Sequence, residues 1–192
     1  MLRVLLVDDR NDRASALQQA LAALEGVEVA CTLESPLELV RRVEEHRPDI
    51  ILIDTESPSR DVLEQLAAIS SAAPRPVVMF TEDAQDAAIR SAIRAGVSAY
   101  VVDGLAPERL DPIMRVAMER FETEQQLRAE LHDTKARLAE RKVIERAKGI
   151  LMKQRQCSEE EAFVALRSLA MQRGIRLGEA AQQVIDVTSL LG

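Results

Sequence analysis

Short apolar runs alternate with amphipathic stretches over the first 110 residues. Five runs, rich in Val and Ile and almost continuously apolar, lie at residues 2–7, 27–31, 50–53, 77–80 and 99–102. Such runs are typical of strands that are buried on both faces of a parallel sheet. Between them, apolar residues recur at helical spacing, as at Leu17, Leu21 and Leu24. The pattern predicts an α/β domain with a doubly wound, five-stranded parallel sheet.

The pattern changes after about residue 107, beyond which no strand is predicted. One helix of about 40 residues is expected over 112–152, because proline is tolerated in a first helical turn and Pro112 is the only proline there. An apolar stripe follows this helix, interrupted by polar residues, at Phe121, Leu127, Leu131 and Leu138. A long polar helix is marginal alone, so we expect a parallel coiled-coil dimer. The alternative is a helix that folds back on its own chain.

Two shorter helices are predicted after the long one. Ser158 and Glu161 have the spacing of a capping box, in which each side chain accepts a backbone N–H at the helix start. Gly174 is placed to end that helix in the left-handed conformation. A last helix is expected over about 177–190. The chain therefore ends in a small three-helix, all-α unit that includes the end of the long helix.

Composition excludes several classes of protein. Aromatic residues make up only 2% of the chain, which argues against stacking along single-stranded nucleic acid. Cys31 and Cys157 are too few for a disulfide framework or a zinc site, and are read as reduced thiols. The first apolar run is too short for a signal peptide, and no run of about 18 apolar residues occurs. We expect a cytoplasmic protein that does not bind membranes.

Charge divides the chain into an acidic and a basic part. The net charge is −7 overall, but it is −9 over residues 1–111 and +3 over residues 141–192. Six of the nine basic residues in the second range lie within 141–155. Such a cluster attracts phosphates through counterion release. The alternative is a solvated helix face.

A second chemical feature is a set of carboxylates at predicted strand ends. Asp8 and Asp9 follow the first strand, Asp54 the third, and Thr81 the fourth. In a doubly wound sheet, ligands bind beyond the carboxyl ends of the strands. Oxygen donors of this kind suit Mg²⁺, and a carboxylate beside the metal can accept a phosphoryl group. The alternative is a set of solvated acids.

The same residues resemble the receiver domain of response regulators over about residues 1–118. The resemblance rests on Val7-Asp8-Asp9, Ile53-Asp54 with Pro58, Thr81, and the segment 95–102. It implies that Asp54 is the phosphoacceptor and that Asp8, Asp9 and Asp54 hold Mg²⁺. It also implies that Thr81 and Tyr100 form the switch pair.

One position departs from the receiver pattern. The family has Lys-Pro after the last strand, whereas this chain has Asp103-Gly104. A fourth carboxylate adds like-charge repulsion where that lysine normally pairs with the phosphoryl group. Two hypotheses therefore stand: phosphorylation at Asp54, or a receiver-like domain that serves as a docking platform for a partner protein.

The basic tail resembles the ANTAR domain of transcription antiterminators over about residues 125–188. The matching segments are RKVIERAKGILM at 141–152, SEEEAF at 158–163 and LRSLA at 166–170. The resemblance implies a dimer that binds hairpin loops in a nascent leader RNA, joined through the helix over 112–148. The candidate RNA contacts are Arg141, Lys142, Arg146, Lys148, Arg167 and Arg173.

The apolar motif residues of the tail are expected to pack its three helices together. They are Ala147, Ile150, Leu151, Ala162, Phe163, Leu166 and Ala170. Phe163 has the alternative of stacking on a base. Gly149 costs a helix about 1 kcal/mol relative to Ala. We expect Gly149 to allow two helices to cross closely. The alternative is that it allows RNA to approach the helix backbone.

Residues 53–58 and 100–105 are also similar to nitrate-assimilation antiterminators of the NasT kind. That resemblance implies control by a nitrate or nitrite sensor protein, with a histidine kinase as the other candidate partner. The sequence thus predicts an antiterminator of nitrate/nitrite assimilation genes. A DNA-binding response regulator and a protein-only adaptor remain open. An enzyme is disfavoured, because the sequence presents no nucleophile–base pair or cofactor loop.

Overall fold

A computed structural model of the chain describes residues 1–8, 14–102 and 107–191. The strands are β1 (Leu2–Asp8), β2 (Val27–Leu33), β3 (Ile50–Thr55), β4 (Val77–Thr81) and β5 (Ala99–Val102). The helices are α1 (Ala14–Ala22), α2 (Leu39–His46), α3 (Arg60–Ala72), α4 (Asp86–Arg94), α5 (Pro107–Arg155), α6 (Glu159–Arg173) and α7 (Leu177–Leu191). The chain divides into two compact units, Met1–Gln125 and Gln126–Gly192.

The first unit contains the predicted five-stranded parallel sheet, in the order β2-β1-β3-β4-β5. Alternate side chains of each strand point to opposite faces, and both faces are buried along β3, β4 and most of β1. On β1, Leu5 packs in the core that includes residues of α2, α3 and α4, whereas Leu6 packs in the core that includes residues of α1 and the start of α5. The apolar runs therefore lack the polar alternation of a half-exposed sheet.

Helix α5 is one continuous helix of 49 residues, and it begins earlier than predicted. Pro112 lies inside the helix rather than at its start. Its missing N–H leaves the carbonyl of Glu108 without its usual helical donor. Leu110, Met114 and Ala117 nevertheless bury one face of this segment in the sheet core. Their burial explains why the helix extends through the proline.

The second unit is the predicted group of three helices. Both bonds of the capping box are present, since the Ser158 hydroxyl accepts from the Glu161 N–H and the Glu161 carboxylate accepts from the Ser158 N–H. Gly174 ends α6 with φ +63°. The core joins α5, α6 and α7 through Ala147, Leu151, Ala162, Leu166, Ala181 and Ile185. No helix in the described ranges is long and apolar enough to cross a membrane.

Candidate functional site

Two carboxylates lie side by side at the carboxyl end of the sheet. Asp8 ends β1 and pairs in register with Asp54 of β3. Their exposed fractions are only 4% and 3%. Adjacent strands lie about 4.8 Å apart, so the two carboxylates form one acidic pair. Asp9, the third predicted acid, lies outside the described residues, as do Asp103 and Gly104.

The acidic pair has donor chemistry that suits a hard cation. Carboxylate oxygens are the ligands that Mg²⁺ prefers. Over residues 1–8, 14–102 and 107–191, no three His, Cys, Asp or Glu side chains are grouped to hold a metal ion. Asp8 and Asp54 therefore offer two buried carboxylates of the kind that Mg²⁺ binds.

Thr81 and Tyr100, the predicted switch pair, both contact the segment that follows β4. The Thr81 hydroxyl donates to the Glu56 carbonyl oxygen at 2.8 Å and accepts from the Asp83 N–H at 3.2 Å. The Tyr100 hydroxyl donates to the Asp83 carbonyl oxygen at 2.8 Å. Burial raises the pKa of Tyr100, with a hydrogen bond to Thr81 acting in the opposite direction. The phenol therefore stays a donor at neutral pH.

Ser57 and Asp83 join the β3–α3 and β4–α4 loops, and the sequence analysis missed both. The Ser57 hydroxyl donates to one Asp83 carboxylate oxygen at 2.6 Å, and the Gln85 N–H donates to the other at 2.9 Å. These two bonds, the Ser57 bond first, hold the pKa of Asp83 below its ordinary value. The Asp-x-Gln spacing, typical of an Asx turn before a helix, was the available signal.

The basic candidates of the tail fall on two helices. Arg141, Lys142 and Arg146 are exposed on α5, and Arg167 and Arg173 are exposed on α6. Arg173 donates to the side-chain oxygen of Gln183 on α7. Exposed guanidinium and ammonium groups can form charge-assisted hydrogen bonds to phosphate oxygens.

Lys148 differs from the other candidate RNA contacts in its surroundings. Its side chain is only 10% exposed, and its ammonium lies 2.8 Å from Glu145 Oε1 and 2.6 Å from Glu159 Oε1. The hydrogen bonds to Glu145 and Glu159 raise the pKa of Lys148, and its bond in turn lowers the pKa of Glu159. Lys148 therefore ties α5 to the start of α6.

Two apolar expectations for the tail need correction. Phe163 is 40% exposed and lies outside the three-helix core, because it is rotated away from the buried row Ala162, Leu166 and Ala170. Gly149 is exposed, and among the described residues a Cβ atom at this position would have no atom within 4 Å apart from the adjoining backbone of α5. A close helix crossing within this chain therefore does not explain Gly149.

Comparisons with protein families assign both units. Residues 4–115 match the response regulator receiver domain, and residues 132–185 match the ANTAR domain. The Transcriptional regulatory protein PdtaR of Mycobacterium tuberculosis is 31% identical over 188 residues, covering 96% of this chain and 89% of that protein. Its similarity therefore extends through both units.

Other relatives match the first unit only. A protein-glutamate methylesterase/protein-glutamine glutaminase of Myxococcus xanthus is 35% identical over 113 residues, which cover 57% of this chain but 32% of that enzyme. This match gives no support for esterase or glutaminase activity, since two thirds of the enzyme lie outside it.

Solved structures agree with the fold of the first unit. The signal receiver domain of a modulated diguanylate cyclase from Desulfovibrio desulfuricans G20 is 25% identical, with a TM-score of 0.57, covering 65% of this chain and 99% of that one. The receiver domain of the putative response regulator NarL from Mycobacterium tuberculosis is 20% identical, with a TM-score of 0.55, covering 60% and 95%. Both likenesses concern the receiver fold.

Proposed function

The chain belongs to the response regulators that join a receiver domain to an ANTAR domain, and we propose that it is a transcription antiterminator that binds hairpins in a nascent leader RNA. The observation that carries this proposal is the concentration of exposed cations on α5 and α6 in an otherwise acidic chain. RNA loops are the sites that proteins read most specifically. A hairpin held by the tail would be unable to rearrange into a terminator.

The proposed RNA contacts are exposed basic side chains. They are Arg141, Lys142, Arg146, Arg167 and Arg173, without Lys148. Each phosphate contact would release condensed counterions, so affinity should fall as salt rises. Phe163 presents one exposed ring on α6, and a single ring suits one looped-out base rather than a continuous single strand.

We place the dimer interface on the middle of α5. Leu127, Leu131 and Leu138 have exposed fractions of 59%, 54% and 54% on this helix. Their spacing of four and seven residues puts them on one face, as a coiled-coil seam requires. Covering this face with a second copy would remove the apolar surface from water and bring two RNA-binding tails together.

The acidic pair supports control through the receiver domain. Asp54 would attack the phosphorus of a phosphodonor with a carboxylate oxygen, and the donor's leaving group would depart. Mg²⁺, when bound by Asp8, Asp54 and Asp9, would supply charge neutralisation between the carboxylates and the incoming phosphoryl group. The Thr81 hydroxyl would then exchange its bond to the Glu56 carbonyl for one to the phosphoryl oxygen. A histidine kinase is the class of partner that would supply the group.

Docking of a sensor protein is the second form of control that we propose. Asp103 stands where the receiver pattern has a lysine, and a carboxylate there would weaken the hold on a phosphoryl group. A nitrate or nitrite sensor that sequesters the regulator would need a receiver surface but no phosphorylation. On this proposal the regulated genes serve nitrate/nitrite assimilation.

The test compares two pools of ligands, two-hairpin RNAs with randomised loops and DNA duplexes of randomised sequence. We expect the dimeric full-length chain to enrich RNA loops, and Arg146→Glu to weaken binding to an enriched RNA by about tenfold or more through lost phosphate attraction. Arg120→Glu is the matched control, because Arg120 is an exposed α5 residue of the receiver unit.

Three outcomes of this test would contradict the proposal. Enrichment of duplex DNA would favour a DNA-binding response regulator. No enrichment of either pool would favour a protein-only adaptor. Equal losses of RNA affinity in Arg146→Glu and Arg120→Glu would show that the tail is not the RNA-binding site.

A further inference from the structure

A row of exposed residues runs along one face of α5 near its end. Lys142, Arg146, Gly149 and Lys153 are separated by four, three and four residues, which places them on one face of the helix. Ala147 and Leu151, which pack in the tail core, lie on the opposite side. We call these four residues the basic row. It spans about 16 Å of helix axis at 1.5 Å per residue.

The cations of the basic row are exposed to solvent. In the part of the chain that the structure describes, none of the row's three cations lies within ion-pair distance of a carboxylate. Elsewhere on the same helix, arginines are paired one turn away, as in Arg115 with Asp111 at 2.6 Å and Arg137 with Asp133 at 2.8 Å. The row therefore presents uncompensated positive charge to solvent.

Gly149 lies within this row, and nothing in the described part of the chain requires glycine there. Its backbone φ is not positive, and a Cβ atom would meet nothing within 4 Å. Gly178 differs, since a Cβ atom there would lie 2.8 Å from Glu140 Cγ. A glycine inside a helix lowers helix stability relative to alanine. An external ligand that needs the missing Cβ would explain this cost.

We propose that Gly149 is the point where the sugar–phosphate backbone of a bound RNA strand approaches the main chain of α5 most closely. The absent side chain leaves the helix surface open, and the cations before and after it would hold the flanking phosphates. The proposal rests on the RNA-binding function proposed above. It adds the residue that the RNA strand approaches and the direction in which the strand runs. The strand would follow the helix axis along the basic row.

A second copy of the chain is a weaker occupant of this face. Two copies that crossed at Gly149 in a symmetric dimer would bring two basic rows together. Six cations would then lie close to one another with no carboxylate of the rows between them, and like charges at short range repel. A polyanion meets no such penalty.

The test measures three quantities on the full-length chain: affinity for a two-hairpin RNA enriched from the randomised-loop pool, melting temperature, and mass in solution. Gly149→Ala and Gly149→Gln are the variants. Ala136→Gln is the matched control, because Ala136 is an exposed α5 residue roughly 140° around the helix from Gly149. We expect Gly149→Ala to raise the melting temperature while weakening RNA binding about tenfold, and Gly149→Gln to weaken it further. Ala136→Gln should leave the affinity unchanged.

The outcomes separate this proposal from the function on which it rests. If the wild-type chain binds no RNA, the proposed function and this inference fail together. If the wild type binds and Gly149→Gln binds equally well, only the inference on Gly149 fails. A Gly149 variant whose mass falls to that of a monomer along with its affinity would assign the face to a second copy, which also overturns the inference.

Discussion

Asp83 connects three segments of the receiver domain through different atoms. Its carboxylate accepts from Ser57 and from the Gln85 N–H, its N–H donates to Thr81, and its carbonyl accepts from Tyr100. The loop after β3 and the loop after β4 are therefore joined at the carboxyl end of the sheet. Any shift of Thr81 towards a phosphoryl group would act on this set of bonds.

We predict that Ser57→Ala raises the pKa of Asp83 towards its ordinary value of 3.8, because the first cause of its lowering is removed. A group whose folded pKa is lowered stabilises the fold above its unfolded pKa, and that stabilisation is lost as pH falls through the folded pKa. As pH falls below about 4, the free energy of unfolding of the variant should therefore decrease less than that of the wild type. NMR titration of the Asp83 carboxyl measures the change.

Ser71→Ala is the matched control for that titration. Ser71 is an exposed serine of α3 whose hydroxyl makes no hydrogen bond in the described part of the chain. An Asp83 pKa that is the same in Ser57→Ala and in the wild type would show that the Ser57 bond is not formed in solution.

At the residue scale, the sequence predicted where a side chain lies in the fold better than it predicted its ion-pair and hydrogen-bond partners. The acidic pair could be predicted because parallel strands bring their carboxyl ends to one edge, whatever the loops do. The ion pair of Lys148 could not be predicted from local sequence, because Glu159 comes within 2.6 Å only once the chain has turned from α5 into α6. Ser57 and Asp83, which are 26 residues apart, needed the same knowledge of loop geometry.

The helices of the tail begin and end where local sequence signals place them. The capping box at Ser158 and the left-handed Gly174 delimit α6, as predicted. The start of α5 was mispredicted, since the burial of Leu110 and Met114 outweighs the local effect of Pro112. Local signals decide a boundary where they are strong, and packing decides it where they are weak.

We predict that Ser158→Ala lowers the free energy of unfolding of the tail by about 1 kcal/mol, because the Glu161 N–H loses its acceptor. Ser168→Ala is the control, an exposed serine within α6 whose hydroxyl caps no N–H group. Urea unfolding followed by circular dichroism measures both variants. Equal midpoints for the two would contradict the role of the cap.

The exposed apolar face of α5 is the proposed dimer interface, and substitutions on it test this proposal. Replacing Leu131 and Leu138 by Lys should convert the dimer to a monomer, because charged groups would face each other across the seam. Sedimentation equilibrium measures the mass, and Ala136→Lys provides a control on another face of the helix. A wild-type chain that sediments as a monomer, or a double variant that remains dimeric, would place the interface elsewhere.

At the scale of the whole molecule, overall charge conceals the feature that matters. The net charge of −7 combines an acidic receiver domain with a basic tail, and the two correspond to separate compact units. The low aromatic content still limits how nucleic acid could be bound, because few rings are present to stack on bases. Binding would therefore depend mainly on contacts to phosphates. The proposed function therefore rests on the distribution of charge rather than on its sum.

Single-round transcription through a terminator tests the central claim most directly. The template would carry, upstream of the terminator, a two-hairpin leader with loops enriched by the wild-type chain. We predict that the wild-type chain raises readthrough several-fold, at about the concentration at which it binds the RNA, and that Arg146→Glu raises it far less. Changing the loop bases should abolish the effect. Unchanged readthrough at saturating wild-type chain would contradict antitermination.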